Sequence, residues 1–512
     1  MAGGMELSLS NLADRYSSGS SPKDVISEMY GDWSKQGTAF IFLSPLETLL
    51  ERCDELLAES VDARGPLWGV PFAVKDNIDV ASMPTTAACP EFEYIAEKDA
   101  RCVERLLAAG GIMVGKTNMD QFACGLVGTR SPFGTAKCAF DSRFIPGGSS
   151  SGSGALVGSG LVSFALGTDT AGSGRVPAMF NGCVGAKPTV GKISTEGVVP
   201  ACRSLDCVSV FATCVEDAGK VVEIMSEFCP SDPTQRNPAP TTGPPVNKFK
   251  FAVPNAEFLN FGGSGGQAVA KEFERLFSEA IDTLTSLGGE KSEIDFSSFA
   301  EIASLLYGGA FVSERISGVE DFLKQKTQEP NLTKENLLED DRMLAVTRKI
   351  FSGGAKFSAV DLFNDFAKLS ELRAKARVEF DKIDVLLVPT AASHYTLEEI
   401  RLEEEPQEGS PNWTSNANLG RFTNFVNMMD LCGIAVPSGK YNHPPPGEGD
   451  ENLPRYSHLA NGDRDTTTSP LLPFGITLLA SAWSDKWLWD IAAKFQDATG
   501  LGCGPKGHNS TI

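Results

Sequence analysis

The stretch GGSSSGSGALVGSGLVSFALGTDTAGSGR, residues 147–175, decides how the rest of the chain is read. Its composition is Gly, Ser, Ala and Thr, as in a flexible linker, yet it carries the apolar runs Ala155-Leu-Val and Leu161-Val-Ser-Phe-Ala-Leu. Linkers have no use for strand- or helix-grade apolar runs. The stretch therefore predicts packed core, with glycines where backbones approach closely. Outward from it, short apolar strands alternate with amphipathic helices. Phe72-Ala-Val-Lys75 and Ile112-Met-Val-Gly115 read as strands, and Asp99–Ala109, stopped by Gly110-Gly111, as a helix between them. Such alternation predicts an α/β layer around a largely parallel or mixed sheet.

The flanks fit one large domain. The first 60 residues read as helices packed on it, with candidates at Asp24–Asp32 and Leu46–Glu59. Residues 61–500 form the main body and 501–512 a tail. The Pro- and Thr-rich loop Pro230–Pro245 is expected to cross between two halves of the sheet. Gly266–Leu287 and Ala355–Phe380 are expected as long helices, Val385-Leu-Leu-Val as a buried strand and Asp485–Gln496 as the last helix. Tyr441–Pro470, polar, acidic and Pro-rich, reads as an exposed insertion.

Composition excludes several functions. The chain has 512 residues, of which 41% are hydrophobic and 22% charged, and a net charge of −21. An acidic body with no separate basic run disfavours nucleic acid and anionic membrane as partners. Twelve cysteines are scattered without a CxxC pair, and Cys202 and Cys207 have no histidine nearby at zinc-ligand spacing. No signal peptide and no apolar run of roughly 18–20 residues is present, so the reading is a reduced, cytoplasmic protein. No metal or organic cofactor is called for.

Only four histidines occur: His394, His443, His458 and His508. Two lie in the polar insertion and one in the tail, which leaves His394 as the interior candidate and makes a Ser-His-Asp triad a poor fit. A base must come from elsewhere. Lys75, at the end of an apolar strand, could serve, because burial disfavours the ammonium form. The serines of 147–154 and Ser173 are candidate nucleophiles once a base can take their proton. Gly and Ala before Ser173 leave backbone N–H groups free to converge on an oxyanion. The same Gly/Ser loop could instead cradle a phosphate, but neither a Walker motif nor a regular GxGxxG is present.

Lys75, then GGSSSGSG, then GTDTAGSGR with 24 residues from Ser149 to Ser173, resembles the amidase signature family in order and spacing. The resemblance implies a mixed sheet wrapped by helices and a Ser-Ser-Lys catalytic unit. Ser173 would be the nucleophile, Ser149 the bridging serine on a cis peptide bond, and Lys75 the base. The N–H groups of Thr170, Ala171, Gly172 and Ser173 would form the oxyanion hole, while Asp169 and Arg175 brace the loop.

Further segments look like the allophanate hydrolase branch: Lys116–Pro132, Ser194–Cys207, Leu306–Arg315 and Thr423–Cys432. By that resemblance Tyr307 and Arg315 would grip a substrate carboxylate and Gly125 would line the pocket. Their spacing of eight residues suggests two turns of one helix. The expected substrate is a small anionic amide, allophanate, and the expected assembly a homodimer with a functional link to a urea carboxylase. The branch commonly carries a further C-terminal domain, and here the amidase body is followed by a short tail. The rival readings are another small-amide amidase, the glutaminase subunit of a tRNA-dependent amidotransferase, and a nucleotide-binding protein.

Overall fold

A computed structural model describes residues 7–239, 243–262, 265–327, 332–405, 414–444 and 469–507. Among these described residues thirteen strands are formed: β1 (Phe40–Leu43), β2 (Pro71–Lys75), β3 (Pro84–Thr85), β4 (Tyr94–Ile95), β5 (Ile112–Thr117), β6 (Phe164–Thr168), β7 (Val184–Lys187), β8 (Val208–Ala212), β9 (Phe249–Pro254), β10 (Gly289–Ile294), β11 (Val385–Pro389), β12 (Leu431–Asn442) and β13 (Leu471–Ser481). Eleven of them make one sheet in the order β1-β5-β2-β6-β8-β7-β12-β13-β11-β9-β10, and β3 pairs with β4 apart from it. The flanks are parallel (β5, β2 and β6 on one side, β11, β9 and β10 on the other) and the centre is antiparallel. This is the expected mixed sheet with helices around it.

The chain crosses from one half of the sheet to the other between β8 and β9, the interval in which the sequence placed the crossing, and the helix Val215–Met225 follows β8 there. Strands such as β2, β6, β8 and β11 are buried along their whole length, which explains why they read as continuous apolar runs rather than alternating ones.

Three sequence expectations are corrected. The first 60 residues are not all helical: Phe40-Ile-Phe-Leu pairs antiparallel with β5 as β1, at an edge of the sheet. The helix expected over Ala355–Phe380 begins at Ala359, where Ser358 and Asp361 form a capping box, and a separate helix, Ala345–Gly354, precedes it. Tyr441 and Asn442, read as the start of the insertion, still belong to β12 and pair with Leu472 and Leu471. The rest of that insertion lies almost wholly outside the described residues. The N-terminal helices are tied to the body by Leu9 N–H to Asp217 Oδ2 (2.9 Å), Tyr16 OH to Gly69 O (2.6 Å) and Trp33 Nε1–H to Leu161 O (2.7 Å).

Candidate active site

The parallel pairing of β2 with β6 sets Val74 beside Leu166, so both strands deliver their last residues to one place. Lys75 ends β2 and Thr168 ends β6. Such strand ends are where open α/β sheets offer a crevice. Lys75 is fully buried, and its Nζ donates to Ser149 Oγ and to Thr168 Oγ1, each at 2.7 Å. Burial pulls the Lys75 ammonium down to about 7 from an ordinary 10.5. Asp120, Asp206 and Asp169 oppose that shift and Arg315 adds to it.

Ser149 follows a cis Gly148–Ser149 peptide bond. Its carbonyl accepts from Asp120 N–H (3.0 Å), while Asp120 Oδ2 accepts from Gly128 N–H (3.0 Å). A Cβ on Gly148 would stand 2.0 Å from Asp120 Oδ2 and 2.6 Å from Gly128 N, so only glycine fits there.

Ser173 lies between β6 and the helix Arg175–Asn181, in a loop built around the Asp169 carboxylate. That carboxylate accepts from Gly172 N–H (2.7 Å), Gly174 N–H (3.1 Å) and Arg175 Nε and Nη2 (both 2.9 Å). Burial raises the Asp169 carboxyl, but the Arg175 guanidinium and its hydrogen bonds, the Lys187 charge and the Gly172 N–H together outweigh it and hold the group below its ordinary range. From the other side, Thr423 Oγ1 donates to Ala171 O (2.7 Å), Asn427 Nδ2 to Asp169 O (2.6 Å) and Thr170 Oγ1 to Asp206 Oδ1 (2.5 Å). Of the four N–H groups named from the sequence, Gly172's is therefore already engaged by Asp169. Those of Thr170, Ala171 and Ser173 are paired with no acceptor among the described residues. Likewise Ser173 Oγ makes no hydrogen bond there, whereas the Lys75–Ser149 link is closed. Catalytic hydrogen bonds commonly tighten only when substrate arrives.

Tyr307 and Arg315 do meet, but not along one helix. Tyr307 is in the last turn of the helix Ser297–Gly308, and Arg315 is in the short helix Glu314–Gly318 beyond a 3-10 turn. The fold brings Arg315 Nη2 within 2.9 Å of Tyr307 OH, and the guanidinium lies over the Tyr307 ring at 5.1 Å. Arg315 is only 2% exposed. Its Nη1 donates to Ala123 O (3.3 Å) and contacts Cys124 Sγ (3.6 Å), and no carboxylate pairs with it among the described residues. Gly125 follows Cys124, and a Cβ on it would stand 2.6 Å from Arg130 Nη1. Arg130 in turn is neutralised by Glu404, at 2.6 Å.

A cavity of about 990 Å³ borders Tyr307, Arg130 and Asn424, the residue after Thr423. Sequence reasoning missed Thr168, Asp120, Asp206 and Asn424. All four stood inside segments quoted from the sequence (Asp120 in 116–132, Thr168 in 167–175, Asp206 in 194–207 and Asn424 in 423–432), but each is set apart only by its placement in the fold, which no spacing within those segments carries.

The two histidines among the described residues take no part in this arrangement. His394 is fully buried, and its Nδ1 pairs with Tyr441 OH at 2.8 Å. Burial pushes its imidazole down to about 3. His443, read as part of the exposed insertion, is also buried, against the ring of Phe144. His458 and His508 lie outside the described residues. No helix among the described residues is long and apolar enough to cross a membrane.

The amidase family profile matches residues 34–488, and the chain belongs to that family. Among its relatives is the urea amidolyase of Saccharomyces cerevisiae, 40% identical over 458 residues, which are 89% of this chain and 22% of the relative. The chain thus spans about a fifth of the length of that protein. A glutamyl-tRNA(Gln) amidotransferase subunit from Carboxydothermus hydrogenoformans is 32% identical over 77% of this chain and 81% of its own. Among solved structures, the allophanate hydrolase of Kluyveromyces lactis superposes with a TM-score of 0.81 at 35% identity, covering 99% of this chain and 75% of that one.

Proposed function

We propose that the protein hydrolyses the amide C–N bond of allophanate, the N-carboxylated form of urea, and releases ammonia. The observation that carries this reading is Arg315: a buried guanidinium, backed by Tyr307 and without a carboxylate of its own among the described residues. A buried charge is costly unless paired, so the site is complete only with an anion in it. A planar guanidinium pairs a carboxylate through two parallel N–H donors. Likeness to an allophanate hydrolase structure and to urea amidolyase supports the same substrate.

In the mechanism, neutral Lys75 draws a proton from Ser149, and Ser149 from Ser173, as Ser173 Oγ attacks the carbonyl of the terminal amide. The tetrahedral oxyanion is received by the N–H groups of Thr170, Ala171 and Ser173. Gly172 holds the loop through Asp169 instead. Ammonia leaves with the proton returned along the same path, and water cleaves the carbonyl–Ser173 ester. The product, N-carboxycarbamate, loses carbon dioxide and then yields a second ammonia. The proposal includes a cytoplasmic location, a homodimer, and supply of allophanate by a urea-carboxylating enzyme.

The experiment is ammonia release from allophanate beside Ser173→Ala and Arg315→Ala, with glutamine as control. The proposal expects loss of turnover in Ser173→Ala. In Arg315→Ala it expects a rise of about 10–100-fold in KM, the worth of one charge-assisted bidentate contact. Ser173-dependent cleavage of glutamine with allophanate untouched would refute it.

A further inference from the structure

The 990 Å³ cavity beside Tyr307 has a charge pattern that the reaction chemistry does not use. Every ionisable side chain of formal charge among its described lining residues is a cation: Arg130, Lys349, Lys356 and Arg421. Arg130 is neutralised by Glu404. The cations are graded in depth. Lys349 and Lys356 are exposed, Arg421 is half-buried, and Arg315 lies fully buried behind Tyr307. No carboxylate forms an ion pair with Lys356 or Arg421 among the described residues; Arg421 Nη1 donates to the carbonyl of Asn260.

At the inner wall, Asn424 is 8% exposed and its side-chain oxygen has no hydrogen-bond partner among the described residues. It adjoins Thr423, which holds the nucleophile loop through Ala171 O. A chain of net charge −21 repels a small anion from most directions, so a local run of positive potential decides where such a molecule can approach.

We propose that this cavity is an antechamber that gathers an anionic amide at Lys349 and Lys356 and passes it, carboxylate first, along Arg421 to Tyr307 and Arg315. Asn424 accepts an N–H of the incoming amide at the last step. The proposal rests on the anionic-substrate reading above and extends it from the site to its approach.

The test compares allophanate with biuret, its neutral isostere, across salt concentrations. In wild type, kcat/KM for allophanate falls by about fivefold or more between roughly 0.02 and 0.5 M salt, while that for biuret stays level. The surface variant Lys349→Gln/Lys356→Gln lowers low-salt kcat/KM for allophanate several-fold, leaves kcat unchanged and flattens the salt slope. Adding Arg421→Gln deepens the effect. An unchanged slope, or equal losses on biuret, overturns the antechamber. Should allophanate prove not to be turned over while biuret is cleaved in a Ser173-dependent way, the functional proposal fails by itself. The antechamber is then read from allophanate as an inhibitor of biuret cleavage. A Ki that rises with salt and loses that dependence in the lysine variant supports it, and a salt-independent Ki overturns it.

Discussion

A lysine acts as a base only when neutral, so the proposed mechanism makes the pH dependence of turnover follow how far the fold depresses Lys75. At its ordinary 10.5, only about one molecule in three thousand would be neutral at pH 7; at about 7, half are. Burial therefore multiplies the active form by roughly a thousand at neutral pH. The sign follows directly. Activity is full above about pH 8 and falls with an acid limb through about 7, so kcat/KM drops about tenfold between pH 8 and pH 6. Neighbouring charges should move that limb. Arg315 disfavours a second cation, so Arg315→Ala raises the Lys75 value and shifts the limb to higher pH. The Thr168 hydroxyl accepts from Nζ and favours the ammonium, so Thr168→Val shifts the limb lower. Initial ammonia release from pH 5.5 to 9, against enzyme-free blanks, reads all three. A flat profile, or limbs that move in the opposite directions, would refute Lys75 as a base tuned by burial.

Other consequences can be checked alone. Gly148→Ala should abolish activity and lower Tm, because its Cβ would collide with Asp120 and with the Gly128 backbone; Gly160→Ala, with open space around it but a left-handed φ, should cost only about 1 kcal/mol in thermal unfolding. His394 is buried neutral with its value held near 3, against an ordinary 6.5. The unfolded chain takes up a proton below 6.5 that the folded one refuses, so its contribution to stability is complete above 6.5. It is lost by up to about 1.4 kcal/mol per pH unit on acidification. Urea unfolding at pH 7 and pH 5, with His394→Gln for comparison, should show a smaller acid loss in the variant. Asp169→Asn should depress kcat far more than KM, since it loosens Gly172 and Gly174 without touching the Arg315 end of the site.

What was legible in the sequence and what was not divides along a physical line. Ser149 and Ser173 stand in segments whose glycines are required by close contacts (Gly148 against Asp120, Gly152 against the Ala39 carbonyl, Gly172 against Thr423), and Lys75 stands out as a lysine ending an apolar strand. A site built from such contacts leaves glycines at fixed intervals, and those can be read. The mixed sheet was legible for a related reason, because strands buried on both faces, such as β2 and β6, are plain apolar runs. Arg315 was picked out by resemblance, but its meeting with Tyr307 was argued from a helix that does not exist. The chain breaks at Gly309 and turns, and it is tertiary packing, not period, that closes the 2.9 Å contact. The cations of the cavity left no trace at all. Lys349 and Lys356 come from one helix and its C-terminal end, and Arg421 from a segment about 65 residues further on, with nothing in their own neighbours to mark them. Their common field exists only once the helices Ala345–Gly354 and Ser297–Gly308 and the 414–424 segment surround one space. Long-range electrostatics is a property of placement, which a one-dimensional pattern does not carry, whereas steric necessity is written into the residues themselves.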